Sequence, residues 1–315
     1  MKILITGAWG FLGKHLQRAL HDAPWPKELL VPNSVELDLM KAGQVNNYID
    51  DYKPDVVIHL AARVGGIGAN MARPADFWRD NLLMGINVLD ACKSGSVKRL
   101  VMVGTTCSYP AHPLTIPFIE AGIFDGYPEP TNAPYGIAKR ALMVGADAYR
   151  SQYGLDYICL VPTNLYGQGD NFDSETSHVI PAMFKKIIDA SRKGENVTLW
   201  GTGSATRDFL YVEDAADAIV RAIKGPSTTY LTFLRTIFNL GSGVETSIST
   251  LAGKVAEIVG FKGRIDWDTS KPDGQPRRCL DSTRAEVGLG WKAGTDLDTG
   301  LRRVYESICA GARTQ

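Results

Sequence analysis

Short apolar runs alternate with amphipathic stretches through the first half of the chain. Lys2–Thr6, Asp55–Leu60 and Arg99–Val103 are mostly hydrophobic, which predicts buried strands. Gly10–Leu20 and Asn81–Cys92 instead carry apolar residues at helical spacing. Strands that alternate with helices in this way predict βαβ units and a parallel, doubly wound α/β sheet.

The alternation continues along the chain and ends near Asn164. Leu29–Val31 is a second short strand candidate, and Ala133–Gln152 is a long helix that Leu155–Val161 follows as a strand. Gln168–Ser177 is polar and rich in turn residues, which is typical of a loop. The region after residue 164 therefore has a different organisation from the region before it.

This C-terminal region predicts a smaller α/β domain that is interleaved with the first. Val179–Arg192 has helical spacing, and Val197–Trp200 and Arg207–Val212 are short strand candidates around a Gly-Thr-Gly turn. From Gly241 onward we expect a mixture of short helices and loops. The predicted boundaries give the sheet domain residues 1–164 and 210–241, and the smaller domain residues 165–209 and 242–315.

Composition and charge exclude several classes of function. The 315 residues include 34 basic and 34 acidic side chains, whereas binding to nucleic acid or to a membrane surface normally shows as a basic excess. The five cysteines are widely spaced and form no Cys-x-x-Cys pair, which argues against a disulfide framework or a zinc site. No apolar stretch reaches the roughly 18 residues of a membrane span, so we expect a soluble, cytoplasmic protein without a metal centre.

A glycine-rich turn follows the first predicted strand and opens the first predicted helix. Gly7, Gly10 and Gly13 allow a tight turn, close approach of a pyrophosphate and close packing of the helix on the strand. The spacing differs from the commoner G-x-G-x-x-G, so the position directly after an N-terminal strand supports the interpretation. We therefore predict a dinucleotide-binding Rossmann domain.

The segment after the second strand distinguishes NAD from NADP in such domains. An acid there binds the ribose hydroxyls of NAD, whereas an arginine favours the 2′-phosphate of NADP. Residues 29–35 contain neither, and Asn33 and Ser34 suit either cofactor. Asp38 and Leu39 suit the far side of an adenine pocket. The residues alone leave the choice of cofactor open.

Thr105, Tyr135 and Lys139 suit hydride transfer at a carbonyl. Tyr135 and Lys139 are four residues apart, so they share one face of the predicted helix. We predict that the ammonium lowers the pKa of the phenol, which helps Tyr135 exchange a proton with a carbonyl oxygen. Thr105 follows a strand and can donate a second hydrogen bond to that oxygen. Cys107 adds a thiol, which suggests a second reaction that moves a carbon-bound proton.

The order of these motifs resembles the extended short-chain dehydrogenase/reductases. The matching segments are Gly7-x-x-Gly10-x-x-Gly13, Asp38-Leu39, His59-Leu-Ala-Ala62, Tyr135-x-x-x-Lys139 and Arg207-Asp-Phe-x-Tyr-Val-x-Asp214. Longer contiguous segments are similar to the GDP-L-fucose synthases within that family. These are Cys107-Ser-Tyr-Pro110, Pro130-Thr-Asn-Ala-Pro-Tyr135, Pro162-Thr-Asn-Leu-Tyr-Gly167, Asp170-Asn-Phe172, Ser177-His-Val-Ile-Pro181 and Trp200-Gly-Thr-Gly203.

The resemblance implies a GDP-4-keto-6-deoxy-mannose substrate that is epimerised at C3 and C5 and then reduced at C4 with NADPH. It implies that Cys107 is the base and His178 the acid of epimerisation. It also implies that NADP(H) is favoured, with NAD(H) possible, and that a homodimer pairs helices that include Asn81–Cys92 and Ala133–Gln152. The cofactor-binding residues that it implies are Gly7, Gly10, Phe11, Leu12, Gly13, Asn33, Asp38, Leu39, Leu60, Ala61, Ala62, Tyr135, Lys139, Pro162, Asn164, Leu165 and His178.

A sugar nucleotide also needs cationic and aromatic partners. Arg207 lies beside a turn and a strand, and its guanidinium can bind a diphosphate bidentately. Trp200 suits one face of the base, and Lys271 and the segment 275–278 are expected to close over the nucleotide. The predicted substrate contacts are Cys107, Ser108, Asn164, Lys186, Trp200, Arg207 and Lys271.

The chain departs from this pattern at three positions. Trp9 stands where the resemblance implies an arginine for the NADP phosphate, Thr105 replaces a serine, and Ser108 replaces an aliphatic residue. One alternative is a C4 reductase without epimerase activity, or another epimerase/reductase, on a related GDP-4-keto sugar such as a heptose. The other is a non-catalytic sugar-nucleotide or redox-sensing protein, against which the presence of Thr105, Tyr135 and Lys139 together argues.

Overall fold

Within the described residues, a parallel six-stranded sheet forms the centre of the molecule. The computed structural model describes residues 1–93, 95–173, 177–228, 232–271 and 273–312. In chain-order numbering the six strands are β1 Lys2–Thr6, β2 Glu28–Leu30, β3 Val56–His59, β4 Arg99–Val103, β5 Tyr157–Pro162 and β9 Ile237–Leu240. Their order is β2-β1-β3-β4-β5-β9, with every neighbouring pair parallel. The predicted doubly wound α/β sheet of the Rossmann type is confirmed.

Helices cover both faces of this sheet. The helices of the described residues are α1 Phe11–Asp22, α2 Ala42–Tyr52, α3 Ile67–Ala72, α4 Pro74–Cys92, α5 Ala133–Tyr153, α6 Val179–Lys193, α7 Val212–Lys224, α8 Ile248–Val259, α9 Thr283–Leu289 and α10 Leu297–Ala312, of which α6, α8 and α10 belong to a smaller part of the molecule. Leu4 of β1 packs in a core with residues of α4 and α5, whereas Ile3 and Ile5 pack in a second core with α1 and α7. Burial of each such side chain contributes about 1.5–3 kcal/mol, which fixes the helices against the sheet.

A smaller part of the molecule is built on shorter strands. They are β6 Asn164–Tyr166, β7 Val197–Trp200, β8 Thr206–Tyr211, β10 Glu245–Ser247, β11 Ile265–Asp268 and β12 Arg277–Arg278. β8 pairs with β6, β10 and β12, and β7 pairs with β11. A third core joins α6, α8 and α10 to these strands. We keep the predicted domain boundaries as a proposal, because sequence from both parts alternates along the chain.

Several elements differ from the sequence prediction. α4 begins at Pro74 rather than at Asn81, because proline is preorganised for the first helical turn and Asp76 favours the helix N-terminus. α7 was not predicted, since Val212 continues directly from β8 without a turn residue between them. α2 and β10 to β12 were also missed, and α8 and α10 are longer than the short helices expected after Gly241.

The five cysteines are all free thiols. Across the described ranges, no group of three or more His, Cys, Asp or Glu side chains is placed to hold a metal ion. In the same part of the chain, no helix combines the length and hydrophobicity needed to cross a membrane.

Candidate active site

The glycine turn lies at the carboxyl edge of the sheet, where β1 separates from β3. Gly7 has a φ of +73°, and the Gly10 N–H donates to the Gly7 carbonyl at 3.1 Å. A Cβ on Gly13 would lie 2.3 Å from the Gly7 oxygen, and a Cβ on Gly7 would lie 2.7 Å from the Ala61 nitrogen. Only glycine fits these close approaches. The turn therefore brings the start of α1 against the loop that follows β3.

The geometry of this turn fits a dinucleotide. No described side chain caps the N-terminus of α1, so its first N–H groups remain for a pyrophosphate. Ligands in doubly wound folds bind where the strand order reverses, and here that point lies between β1 and β3. The predicted cofactor residues near it are Phe11 and Leu12 at the start of α1, and Leu60, Ala61 and Ala62 directly after β3.

Thr105 and Tyr135 meet at the end of β4. Their side chains are hydrogen-bonded, and Tyr135 is half-buried at the start of α5. Phe77 of α4 packs edge-on against the phenol ring, with the ring centroids 6.5 Å apart. The structure thus brings two of the predicted ketone-binding hydroxyls together and supports the phenol from the side.

Lys139 does not act on the Tyr135 phenol as predicted. Burial raises the pKa of Tyr135, the nearby Cys107 thiol adds to this, and the hydrogen bond to Thr105 opposes it. The Lys139 ammonium instead donates to the Val103 carbonyl at 3.0 Å. The prediction of a lowered phenol pKa is therefore wrong for this structure. Tyr135 is protonated at neutral pH, which suits a hydrogen-bond and proton donor.

The surroundings of Lys139 are unusually dry. Burial lowers its pKa to about 8. Burial, followed by the charge of Lys139, also lowers the pKa of His59 to about 3. His59 is therefore neutral, and its Nδ1 is hydrogen-bonded to the Thr6 hydroxyl at 2.8 Å. Lys139 is thus the cation of a buried polar cluster below the site.

Cys107 lies in a tight turn that α5 holds in place. The Thr105 hydroxyl accepts from the Cys107 N–H at 3.2 Å and caps the 3₁₀ turn Thr106–Ser108. A Cβ on Gly136 would lie 2.1 Å from the Cys107 carbonyl oxygen, so α5 approaches this turn as closely as glycine permits. Arg140 donates to the Ser108 carbonyl. The thiol is half-buried beside the phenol.

The sequence prediction expected the segment 275–278 to close over the nucleotide but did not single out Arg278, which lies next to this thiol. Its Nη1 is 3.9 Å from the Cys107 Sγ, and its Nε donates to Gln275 Oε1 at 3.1 Å. Arg277 beside it is exposed and bonded to Glu245. Successive side chains on a strand point to opposite faces. That rule could have indicated from the sequence that one of the two arginines faces inward and the other outward.

Arg207 and Arg278 form a pair of enclosed guanidinium groups. Parallel pairing of β12 with β8 places them side by side. Arg207 donates to the carbonyls of Gln275 at 2.6 Å and Asp273 at 3.2 Å. Burial, and then the charge of Arg278, lowers the pKa of Arg207 to about 10, so it stays cationic at neutral pH. Neither arginine has a carboxylate partner among the described salt bridges, and buried charges are normally paired.

Trp200 gathers two lysines from separate elements. The Lys186 ammonium lies 5.2 Å and the Lys271 ammonium 5.6 Å from the centre of its ring. The indole itself is 64% exposed. The Asp273 carboxylate holds the next turn, since it accepts from the Thr202 N–H and hydroxyl at 2.8 Å each. Three predicted substrate contacts therefore form one exposed cluster.

His178 occupies the N-cap position of α6, and its side chain is exposed. A Cβ on Gly66 would lie 3.6 Å from the Ser177 carbonyl, so this segment approaches the loop after β3. Burial raises the pKa of Asp170, and the charge of His178 opposes that shift, which places the two groups near each other. The predicted loop Gln168–Ser177 extends partly over residues 174–176, which lie outside the described residues.

The remaining predicted residues differ in how far they face the cleft. Asn164 uses its amide to donate to the Asp208 carbonyl at 2.8 Å, and Leu165 beside it is half-buried. Pro162 is buried at the end of β5. Ser108 has no exposed surface, and its hydroxyl donates to the Gly136 carbonyl at 3.3 Å. The structure therefore gives the Ser108 side chain an internal contact instead of an open one.

Comparisons with known proteins agree with this geometry. The chain is 43% identical to the GDP-L-fucose synthase of Sinorhizobium fredii over 98% of this chain and 95% of the relative. It is 37% identical to the Escherichia coli GDP-L-fucose synthase over 97% and 95% of the two chains. A GDP-mannoheptose C4 reductase from Campylobacter jejuni, solved with NADP bound, superposes with a TM-score of 0.89 at 31% identity, and 98% of each chain is covered.

The family match extends over the dinucleotide-binding part of the chain. The family model described as "NAD dependent epimerase/dehydratase family" matches residues 3–241. That range contains the glycine turn, the Thr105–Tyr135 pair, Lys139 and Cys107. This chain belongs to the NAD-dependent epimerase/dehydratase family.

Proposed function

We propose that the protein is a GDP-4-keto-6-deoxy-hexose 3,5-epimerase and 4-reductase of the GDP-L-fucose synthase type. The observation that carries the proposal is the Cys107 thiol beside the hydrogen-bonded pair of Thr105 and Tyr135. Full-length similarity to GDP-L-fucose synthases supports the same reaction. One ketone-binding site can serve both steps, because both place negative charge on the same oxygen.

The epimerase step uses Cys107 and His178. A C4 ketone acidifies the protons on C3 and C5, since the carbanion is delocalised as an enolate. The Cys107 thiolate removes such a proton, and the His178 imidazolium returns one to the opposite face. Thr105 and Tyr135 donate hydrogen bonds to the enolate oxygen and lower the barrier.

The reductase step uses Tyr135 as the proton donor. A reduced nicotinamide held at the glycine turn Gly7–Gly13 would supply the hydride for C4. The raised pKa of Tyr135 keeps the phenol protonated until negative charge develops on the C4 oxygen. Thr105 holds that oxygen from a second direction. Lys139 stays bonded to the Val103 carbonyl beneath the site.

The nucleotide diphosphate binds at the paired guanidiniums. Arg207 and Arg278 lack carboxylate partners in the described part of the chain, so a diphosphate would neutralise both. Trp200 then stacks against the base, with Lys186 and Lys271 nearby. The sugar would then lie between the diphosphate and Cys107, and the 3.9 Å distance from Arg278 Nη1 to the Cys107 Sγ supports this.

Reduction in deuterated water tests the two steps separately. The enzyme, a GDP-4-keto-6-deoxy-mannose and reduced cofactor should give a product with deuterium at C3 and C5. Replacement Cys107→Ser should abolish the exchange while cofactor binding survives, and Cys309→Ser on α10 should change neither. Reduction without any exchange in the unmodified protein would reject the epimerase step.

A C4 reductase on a related GDP-4-keto sugar is the second candidate. Its support is the superposition with the Campylobacter jejuni heptose reductase. In that case Cys107→Ser would leave turnover nearly unchanged.

A panel of GDP-, UDP- and dTDP-linked 4-keto sugars, heptoses included, would identify the substrate. Oxidation of cofactor by any of them would exclude a non-catalytic protein. Both NADPH and NADH are candidates for that cofactor.

We also propose a homodimer through α4 and α5. Trp78 and Ile86 on α4 and Val144 on α5 are 47%, 44% and 51% exposed. The two helices pack side by side, and these exposed apolar side chains make up the proposed dimer surface. A second copy can cover it by twofold symmetry. Sedimentation should show a dimer that Ile86→Glu with Val144→Glu converts to a monomer, whereas Val287→Glu elsewhere should not.

A further inference from the structure

The loop after β2 carries a fixed carboxylate where the cofactor ribose binds in this fold. Asn33 lies about 20 residues beyond the glycine turn, which is the position of the residue that reads the ribose. The Asn33 side chain accepts from the N–H groups of Val35 at 2.8 Å and Glu36 at 3.1 Å. Glu36 Oε2 in turn accepts from the Asn33 N–H at 2.8 Å. These reciprocal bonds hold the Glu36 carboxylate at the end of β2.

An indole ring lies on the other side of the same position. Trp9 belongs to the glycine turn, and its Nε1–H donates to the Val31 carbonyl at 3.0 Å. The ring is 57% exposed. It therefore covers the end of β2 from the cofactor side with an apolar surface. A ribose can pack against such a surface, whereas a dianionic phosphate gains nothing from it.

Two cations on neighbouring segments already have carboxylate partners. Residues 28–40 contain no lysine or arginine. Lys41 pairs with Asp38 at 3.3 Å, and Arg63 after β3 pairs with Asp80 at 2.9 Å. A 2′-phosphate here would meet the Glu36 carboxylate, and the Arg63 guanidinium that could offset the repulsion is already paired with Asp80.

We infer that this enzyme binds NADH in preference to NADPH, because Glu36 and Trp9 line the adenosine ribose position. The inference rests on the proposed function for its reaction but concerns only cofactor binding. Glu36 accepts a hydrogen bond from the ribose hydroxyl, and the same carboxylate repels a phosphate at that position. Trp9 and Glu36 are therefore specificity residues that do not touch the reacting atoms.

Cofactor binding without sugar is the direct test. Nicotinamide fluorescence on titration should give a Kd for NADH that is at least about tenfold lower than for NADPH, the scale of one lost charge-assisted hydrogen bond. A Kd for NADPH equal to or lower than that for NADH would overturn the inference. If neither cofactor binds, both this inference and the proposed function are wrong. If NADH binds but no 4-keto sugar is reduced, only the proposed function fails.

Variants of the loop assign the effect to residues. Glu36→Gln keeps an acceptor for the Asn33 N–H and removes the negative charge. The ratio of the Kd for NADPH to the Kd for NADH should therefore decrease. Trp9→Arg should lower the Kd for NADPH about tenfold relative to that for NADH, because it adds a cation and removes the apolar ring at the ribose. Val287→Arg adds the same charge on α9, far along the chain, and should alter neither. If Lys14→Ala weakens NADPH binding selectively, Lys14 supplies the phosphate contact and the inference is wrong.

Discussion

The proposed cofactor side and the proposed sugar side of the cleft are built from different kinds of group. On the cofactor side, Gly7, Gly10 and Gly13 present backbone groups, and their contacts leave no room for a Cβ at Gly7 or Gly13. On the sugar side, side chains from α6, β8 and β12 supply the charges, and β7 supplies the Trp200 ring. The first surface is defined by where the backbone runs, and the second by which side chains the shorter strands bring together.

This difference suggests how specificity can change in the family. Backbone contacts cannot be replaced one at a time, so the cofactor side is expected to keep its geometry. Arg207, Arg278 and Trp200 are single side chains on separate segments, so each can change without disturbing the sheet. The proposed catalytic groups lie between the two sides. Their substitution shows how far each group depends on the backbone and how far on single side chains.

Removal of the Tyr135 hydroxyl should have the largest effect. Tyr135→Phe keeps the ring against Phe77 but removes the proton donor, so kcat for reduction should fall roughly 10²–10⁴-fold. The Kd for reduced cofactor should change little. Tyr149→Phe removes a hydroxyl from the same helix, where it bonds Asp90 at 2.7 Å, and should leave kcat intact. A Tyr135→Phe enzyme with normal kcat would remove the phenol from the mechanism.

Gly136→Ala, which adds one methyl group, should have the next largest effect. The new Cβ would lie 2.1 Å from the Cys107 carbonyl, so the thiol turn and α5 must separate. A displacement of about 1 Å can cost about 10²-fold, and exchange at C3 and C5 should fall by that order. Gly145→Ala on α5 meets only Leu89 at 3.4 Å and is the matched control. Equal exchange rates in the two variants would mean that the turn is not held by α5.

The arginine pair on β12 offers a sharper test of the sugar side. Arg278→Met should raise KM for the GDP sugar by about tenfold or more, since one charge-assisted contact to the diphosphate is lost. Arg277→Met removes an exposed ion pair with Glu245, which typically contributes about 0–1 kcal/mol, and should leave KM nearly unchanged. Cofactor affinity should be the same in both. If Arg277→Met has the larger effect on KM, the inward and outward assignments are reversed.

The predictable residues are those whose spacing is local. Gly7 to Gly13 lie within one turn, and Tyr135 and Lys139 lie on one helix face, so sequence distance fixes their relation. Arg278 depends on β12 pairing with β8, a contact between residues far apart in sequence. No local pattern specifies that register. The same holds for Asp273, which reaches Thr202 across the chain.

The prediction about the phenol pKa failed for a related reason. The spacing of Tyr135 and Lys139 shows that they share a helix face, and it says nothing about the direction of a flexible ammonium. In the structure that ammonium extends to the Val103 carbonyl at the end of β4. Burial then dominates the pKa of Tyr135. Solvent exclusion is a property of the assembled fold, so it could not be derived from the spacing.

The smallest expected effect is the acid sensitivity that His59 gives the cofactor side. Its pKa is about 3 in the folded protein against 6.5 for the free group, so the unfolded chain binds more protons between these values. The contribution of neutral His59 to stability is complete above pH 6.5 and is lost as the pH falls toward 3. The free energy of unfolding should decrease by up to about 1.4 kcal/mol per pH unit in that window from this group. His59→Asn can keep a bond to Thr6 without titrating, so denaturant unfolding at pH 6 and pH 5 should show a shallower decrease. The exposed His21→Asn should keep the original slope. Identical slopes in all three proteins would mean that His59 is not held neutral beneath the site.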